Sequence, residues 1–354
     1  GESLIDIFNL INPDVSAVGN HEFDLGREWF DAAIKKIKYP LIAANLFDGE
    51  TGNPLVEPYK IITTKNNVKI LFIGAFTVSG KKYAEKSNNL RIDEPLEHIK
   101  KIAKEKENEI NLTVVVSHLG LDDDVKLSKE LKNTEVDLIF GAHSHTLIEK
   151  IDDKLPVPVV QADCNGNYFA KLDLTVDIAA HKIAAFKYST IPTIVENIEA
   201  DKRIEEIVNA ETDKIKDLLR PICRIQEPLA QESRTQETKL GNFAVDAMVD
   251  FFKTDLAFIS SKSIRASISG PEITPNDIYE AFPFDNIIYK ISLTGENIIK
   301  MLEYYANKRK DRYMSIPESM HYTYSIKSKK MEITEIDYKG KPLKPGKRYT
   351  AAVD

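Results

Sequence analysis

Along the first half of the chain, short apolar runs alternate with amphipathic stretches. Residues 14–18, 41–45, 59–63, 68–77, 112–116, 136–140 and 157–161 are β-branched or aliphatic runs, too short for helices, and they predict strands. Over 27–39, Trp29, Phe30, Ala33, Ile34 and Ile37 recur at three- and four-residue spacing, which predicts a surface helix that Pro40 ends. A further helical stretch covers 95–106. Strands that cross over through helices predict a layered α/β domain ending near Pro192. From 195 to 219 the chain is charged and helical, with Ile198, Ile204, Ile207, Val208, Ile215 and Leu218 as an apolar seam and Pro221 as a stop, the pattern of an interdomain helix. Beyond Cys223 an amphipathic helix at 240–252 precedes strand patterns at 256–260, 287–293, 321–326 and 331–338, which predict a smaller α+β domain. The expected division is 1–193, 194–222 and 223–354.

Composition narrows the partners. The 354 residues suit about two domains, and 42 % hydrophobic with 29 % charged excludes wholesale disorder. Lys plus Arg at 48 against Asp plus Glu at 55 leaves a net charge of −7, so no bulk positive field holds a nucleic-acid polymer. No apolar run approaches the roughly 18 to 20 residues of a membrane helix. The two cysteines, Cys164 and Cys223, form no C-x-x-C; one disulfide or two thiols both fit, and two packed thiols are the expectation. The basic cluster at 308–312 reads as a solvated surface loop.

Chemistry concentrates in three motifs, each directly after a strand pattern: Gly19-Asn20-His21-Glu22-Phe23-Asp24, Ser117-His118-Leu119-Gly120 and Gly141-Ala142-His143-Ser144-His145. Residues just past the carboxyl ends of strands in an open α/β sheet gather along one edge, so residues 21, 118, 143 and 145 are expected to meet. Histidine nitrogen is a common metal donor, and an H-x-H pair can direct its two rings at neighbouring ions. A dinuclear metal site follows.

With these motifs the chain resembles the calcineurin-like metallophosphoesterases, and more narrowly the 5'-nucleotidase family. The second half adds Arg234-Thr235-Gln236-Glu237-Thr238-Lys239-Leu240-Gly241-Asn242-Phe243, Ile264-Arg265, Phe282-Pro283-Phe284-Asp285-Asn286 and Leu293-Thr294-Gly295, which resemble the family's later blocks in order. The resemblance implies a metallophosphoesterase β-sandwich flanked by helices, then a nucleotide-binding C-terminal domain. It makes Asn20, His118 and His143 ligands of one divalent metal and His145 a ligand of a second; zinc, manganese, iron or cobalt all suit such donors. His21 becomes the group that meets the phosphoryl oxygens, oriented by Asp24. Arg234 and Arg265 are assigned to substrate oxygens and Phe284 to stacking on the base. The implied substrate is a small nucleotide, and the implied setting is extracellular, periplasmic or wall-attached.

Three departures stand beside the matches. Only 18 residues precede Gly19, and they hold neither the D-x-H nor the G-D motif that the family places there. The chain stops at Asp354, where the family continues to a second aromatic and a Gly-Gly-Asp. A longer protein shortened at both ends is the expectation, inactive in this form. Within the chain, Ser260-Ser261-Lys262-Ser263-Ile264-Arg265 replaces an Asn followed by glycines. Ser260 then offers one hydroxyl where an amide would present paired groups. The expected function is hydrolysis of nucleoside monophosphates. Cyclic nucleotides, nucleotide-sugar pyrophosphates, or a catalytically weak surface protein that binds nucleosides are the alternatives.

Overall fold

The computed structural model describes residues 2–79, 81–194, 198–308 and 312–354. The chain forms two compact units, Gly1–Glu211 and Thr212–Asp354.

The first unit is organised by a five-stranded sheet in the order Tyr59–Thr63, Lys69–Ala75, Leu112–Ser117, Leu138–Phe140 and Val159–Val160. The first pair is antiparallel and the rest are parallel. Alternation along each strand sends successive side chains to opposite faces. Leu71, Ile73, Val115 and Ile139 accordingly pack on one face with Ile99 and Ala103 of the helix Pro95–Lys106 and Leu127 of the helix Leu121–Glu130. Ile70, Phe72, Val114 and Leu138 face the other way, against Leu172 and Tyr188 of the ribbon formed by Tyr168–Asp177 and Lys182–Pro192. Both faces are covered, which explains why Leu112–Ser117 reads as an almost unbroken apolar run. Burying each such side chain contributes about 1.5 to 3 kcal/mol.

A separate cluster of Val18, Phe23, Phe30, Leu46, Phe76 and Ile92 underlies the first motif. There Ser16–Ala17 pairs in parallel with Leu41–Ile42, so the strand expected over 14–18 shrinks to two residues. The helix expected over 27–39 spans only Arg27–Ala33, because Lys36 N–H and Ile37 N–H both bond to the Ala33 carbonyl and tighten the last turn.

In the second unit the sheet order is Tyr289–Thr294, Arg348–Val353, Leu256–Ser260 and Met314–Ser315. The helix Lys239–Phe252 opens on Thr238, whose side chain accepts the Gly241 N–H. It packs Leu240 and Val245 against Ala257 and Ile259, while Ile298 and Leu302 of the helix Gly295–Lys308 cover Leu256, Phe258 and Ala351. A meander of Met320–Lys327, Lys330–Tyr338 and Lys341–Pro342 completes the unit.

Other expectations need correcting. The helical stretch at 195–219 is a helix over Lys202–Ile215 that buries none of its residues, and its start at 195–197 lies outside the described residues. The thiols are not core groups: Cys164 is half-buried and Cys223 exposed. Residues 309–311 of the basic cluster also lie outside the described residues. Among the described residues no helix is long and apolar enough to cross a membrane.

Asp124 is the outlier of the first core. It is 0 % exposed, the Ser117 hydroxyl donates to Oδ1, and Oδ2 has no hydrogen-bond partner. Burial, with Asp123 adding to it, pushes this carboxyl up from 3.8 to about 7. An unfolded chain releases the proton near pH 4 and the folded chain holds it to about 7, so raising the pH across that window favours unfolding. Metal-free wild type should therefore lose about 2 to 4 kcal/mol relative to Asp124→Asn between pH 4 and pH 8. Urea unfolding at the two pH values measures this; parallel stabilities would show that Asp124 ionises normally in the fold.

Candidate active site

Parallel strands deliver their carboxyl ends to one edge of the first unit, and three loops start there. The tight turn Asn20–Phe23 follows the strand Ser16–Ala17. His118 follows Leu112–Ser117, and the 141–145 segment follows Leu138–Phe140. Phe23 anchors the first loop by packing on Phe30 and Phe76, with ring centroids 4.5 and 5.9 Å away. Glu22 closes the same turn by accepting the Gly19 N–H at 2.8 Å, and burial raises its carboxyl. Gly19 allows close approach: a Cβ there would lie 2.8 Å from His118 Cε1.

The loops converge on one atom. Asn20 Oδ1 lies 3.0 Å from His118 Nε2 and 3.0 Å from His143 Nδ1, and the two rings are 5.0 Å apart. An amide oxygen only accepts, so each facing ring nitrogen carries the proton in the metal-free chain. Burial, reinforced by the charges of His143, His21 and His145, depresses His118 to about 4 and keeps its ring neutral. His21 Nδ1 meets Asp24 Oδ2 at 2.7 Å, with both side chains about half exposed. The first unit thus brings Asn20, His118 and His143 together, with His21 paired to Asp24 and with His21 and His145 near enough to act on the charge of His118.

Among the described residues no three His, Cys, Asp or Glu side chains form a metal-holding group. The convergence is instead two imidazoles and one amide oxygen, all borderline or hard donors without thiolate. Donors about 2.1 Å from one ion and roughly at right angles lie about 3 Å apart, the spacing seen here. Asn20, His118 and His143 therefore fit part of the coordination sphere of one divalent ion.

The second unit collects the other candidates. The Arg265 guanidinium lies 5.6 Å from the Phe284 ring centroid. The Arg234 carbonyl accepts the Ser261 hydroxyl, which places its main chain beside Ser260. The Ser260 hydroxyl turns inward to accept the Lys262 N–H at 3.4 Å. Asp354 ties the loops together: it receives the Ser260 N–H at 3.4 Å, the Ser263 hydroxyl and the Asn286 amide at 3.2 Å. Beside them is a cavity of about 410 Å³ lined by Phe243, Phe282, Phe284, Asn286 and Asp354 with aliphatic side chains. Sequence reasoning missed Asp354, Asn286, Glu22 and the buried Gln161. For Gln161 the available signal was a lone amide at the end of the apolar run 157–161.

The calcineurin-like phosphoesterase family model matches residues 2–147, and the 5'-nucleotidase C-terminal domain model matches 211–354. The chain is 27 % identical to a 5'-nucleotidase of Vibrio cholerae, over 85 % of its own length and 63 % of that protein. It is 24 % identical to the trifunctional nucleotide phosphoesterase protein YfkN of Bacillus subtilis, over 93 % of this chain and 26 % of that one. The chain thus spans between a quarter and under two thirds of these relatives. The crystal structure of a 5'-nucleotidase precursor from Thermus thermophilus superposes with a TM-score of 0.88 at 24 % identity, covering 99 % of this chain and 75 % of the other, which establishes the shared fold. With one model on each unit and both motif sets in order, the chain belongs to the 5'-nucleotidase family of phosphohydrolases, a calcineurin-like metallophosphoesterase domain followed by a 5'-nucleotidase C-terminal domain.

Proposed function

We propose that this chain is the body of an enzyme that hydrolyses nucleotide phosphate esters, a nucleoside monophosphate and water giving a nucleoside and phosphate. The observation that carries this reading is Asn20 Oδ1 between His118 and His143, with the His21–Asp24 pair on the same loop. The names of the Vibrio and Bacillus relatives support the nucleotide as substrate. The family resemblance supports an extracellular, periplasmic or wall-attached setting.

Asn20, His118 and His143 would hold one divalent ion and His145 would contribute to a second. Two such ions, when bound, neutralise a phosphate dianion and bring the pKa of water toward about 7. The protein's own groups do the rest. A neutral His118 does not repel a cation, and in the tautomer with its proton on Nδ1 it turns an Nε2 lone pair to the ion. His21, its Nδ1 engaged by Asp24, presents Nε2 to the phosphoryl group and donates a proton toward charge developing on its oxygens. In the second unit the Arg265 guanidinium suits an anionic oxygen, and the Phe284 ring suits the face of a base.

In the full-length protein, His118→Ala and His143→Ala should each remove one equivalent of bound metal, read by elemental analysis. Unchanged stoichiometry in both would overturn the ligand assignment. His21→Ala should keep its metal while turnover of phosphate esters falls about 100-fold or more; loss of metal instead would make His21 a ligand. Arg234→Ala and Phe284→Ala should weaken turnover of nucleotides and leave a small aryl phosphate nearly unaffected. Remote binding energy serves only a substrate that has a remote part. Equal losses on both substrates would remove the nucleotide assignment.

A further inference from the structure

Gln161 directly follows the last strand of the five-stranded sheet, Val159–Val160, and is 2 % exposed. An amide buried there destabilises the fold unless its polar atoms are matched. They are matched by one short segment. Oε1 accepts the Ser144 hydroxyl at 2.8 Å and the Thr146 N–H at 2.6 Å, and Nε2 donates to the Ala142 carbonyl at 3.0 Å. That segment carries His143 and His145, both with left-handed backbone at φ 73° and 56°. L-residues stay in this conformation where the surroundings over-determine it. The Ser144 oxygen also accepts the Leu121 N–H at 3.0 Å, three residues beyond His118. One buried amide is thus connected directly to the loop of His143 and His145 and, through Ser144, to the loop of His118.

We propose that Gln161 is a positioning residue whose amide holds the 142–146 turn in the conformation that sets His143 against Asn20 and carries His145 with it. The role in metal binding rests on the metallophosphoesterase reading, whereas the hold on the turn does not.

Cobalt(II) titration of the full chain tests both, because its visible absorption reports ligand geometry and its titration curve reports affinity. Gln161→Met keeps the volume and removes all three hydrogen bonds. It should weaken Co²⁺ binding about 10- to 100-fold, shift the absorption bands, and speed amide hydrogen exchange at Ser144 and Thr146 in the metal-free chain. Gln161→Glu keeps both acceptor contacts and should recover part of the affinity. The proposal falls if Gln161→Met binds Co²⁺ with wild-type affinity and spectrum. A wild-type chain that takes up no Co²⁺ overturns the metal reading instead; exchange at 144 and 146 then decides for Gln161, and unchanged exchange in Gln161→Met overturns the hold on the turn. Should Gln161→Met lose its cooperative thermal transition, Gln161→Glu and Ser144→Ala carry the same readouts, and wild-type behaviour in both overturns the role.

Discussion

The oxygen of the Asn20 side chain is the point at which three loops of the first unit meet. It joins His118, 98 positions away, and His143, 123 positions away. Neither contact exists unless the sheet has formed, since each partner is placed by its own strand end. The phenylalanine cluster under residues 20–23 matters for the same reason: moving Phe23 out of the core would tilt the turn and withdraw the shared acceptor. Burial then sets the protonation state. A ring depressed to about 4 is neutral at ordinary pH, so it can accept a cation instead of repelling it.

Around that point the protein departs from local stability rules. His143 and His145 have positive φ, Asp124 is buried with one oxygen unmatched, and Glu22 is raised by burial. Positive φ recurs in ordinary turns elsewhere in the chain, but here it coincides with two carboxyls that burial raises, all beneath or within the three loops that bear the histidines. Local rules are broken where function requires a geometry the chain would not choose by itself. The compensation is visible in the dense packing on both faces of the sheet and in the three matched bonds of Gln161.

The second unit answers the irregular stretch at 260–263 in a different way. Ser260 lacks an amide side chain, but Ser263 and Asn286 supply a hydroxyl and an amide that both bond the Asp354 carboxylate. They stand beside a cavity that is otherwise aromatic and aliphatic, with Arg265 near the Phe284 ring. An apolar recess with a few convergent polar groups is the usual form of a small-molecule site. The polar groups beside this cavity are therefore distributed over three loops rather than concentrated at position 260.

Much of this was legible in the chain. Apolar runs of strand length followed by Gly-Asn-His, Ser-His and Gly-Ala-His-Ser-His put the candidate histidines at strand ends, because parallel strands place their carboxyl ends on one edge whatever the sequence of the loops. The helices Glu2–Ile11, Leu121–Glu130 and Gly295–Lys308 were not read from the sequence, although Leu4, Ile7, Phe8 and Ile11 in the first and Ile298, Leu302 and Tyr305 in the last recur at helical spacing. Which of these positions the fold buries, Ile5 alone in the first, is decided by tertiary packing. The same holds for the buried supports. Gln161 and Asp124 look in sequence like ordinary polar residues, and Asp354 like a chain end. Which atom a polar side chain meets depends on contacts between residues far apart in the chain, so residue identity and spacing determined the donors, whereas tertiary structure decided their protonation, their orientation and the groups that hold them.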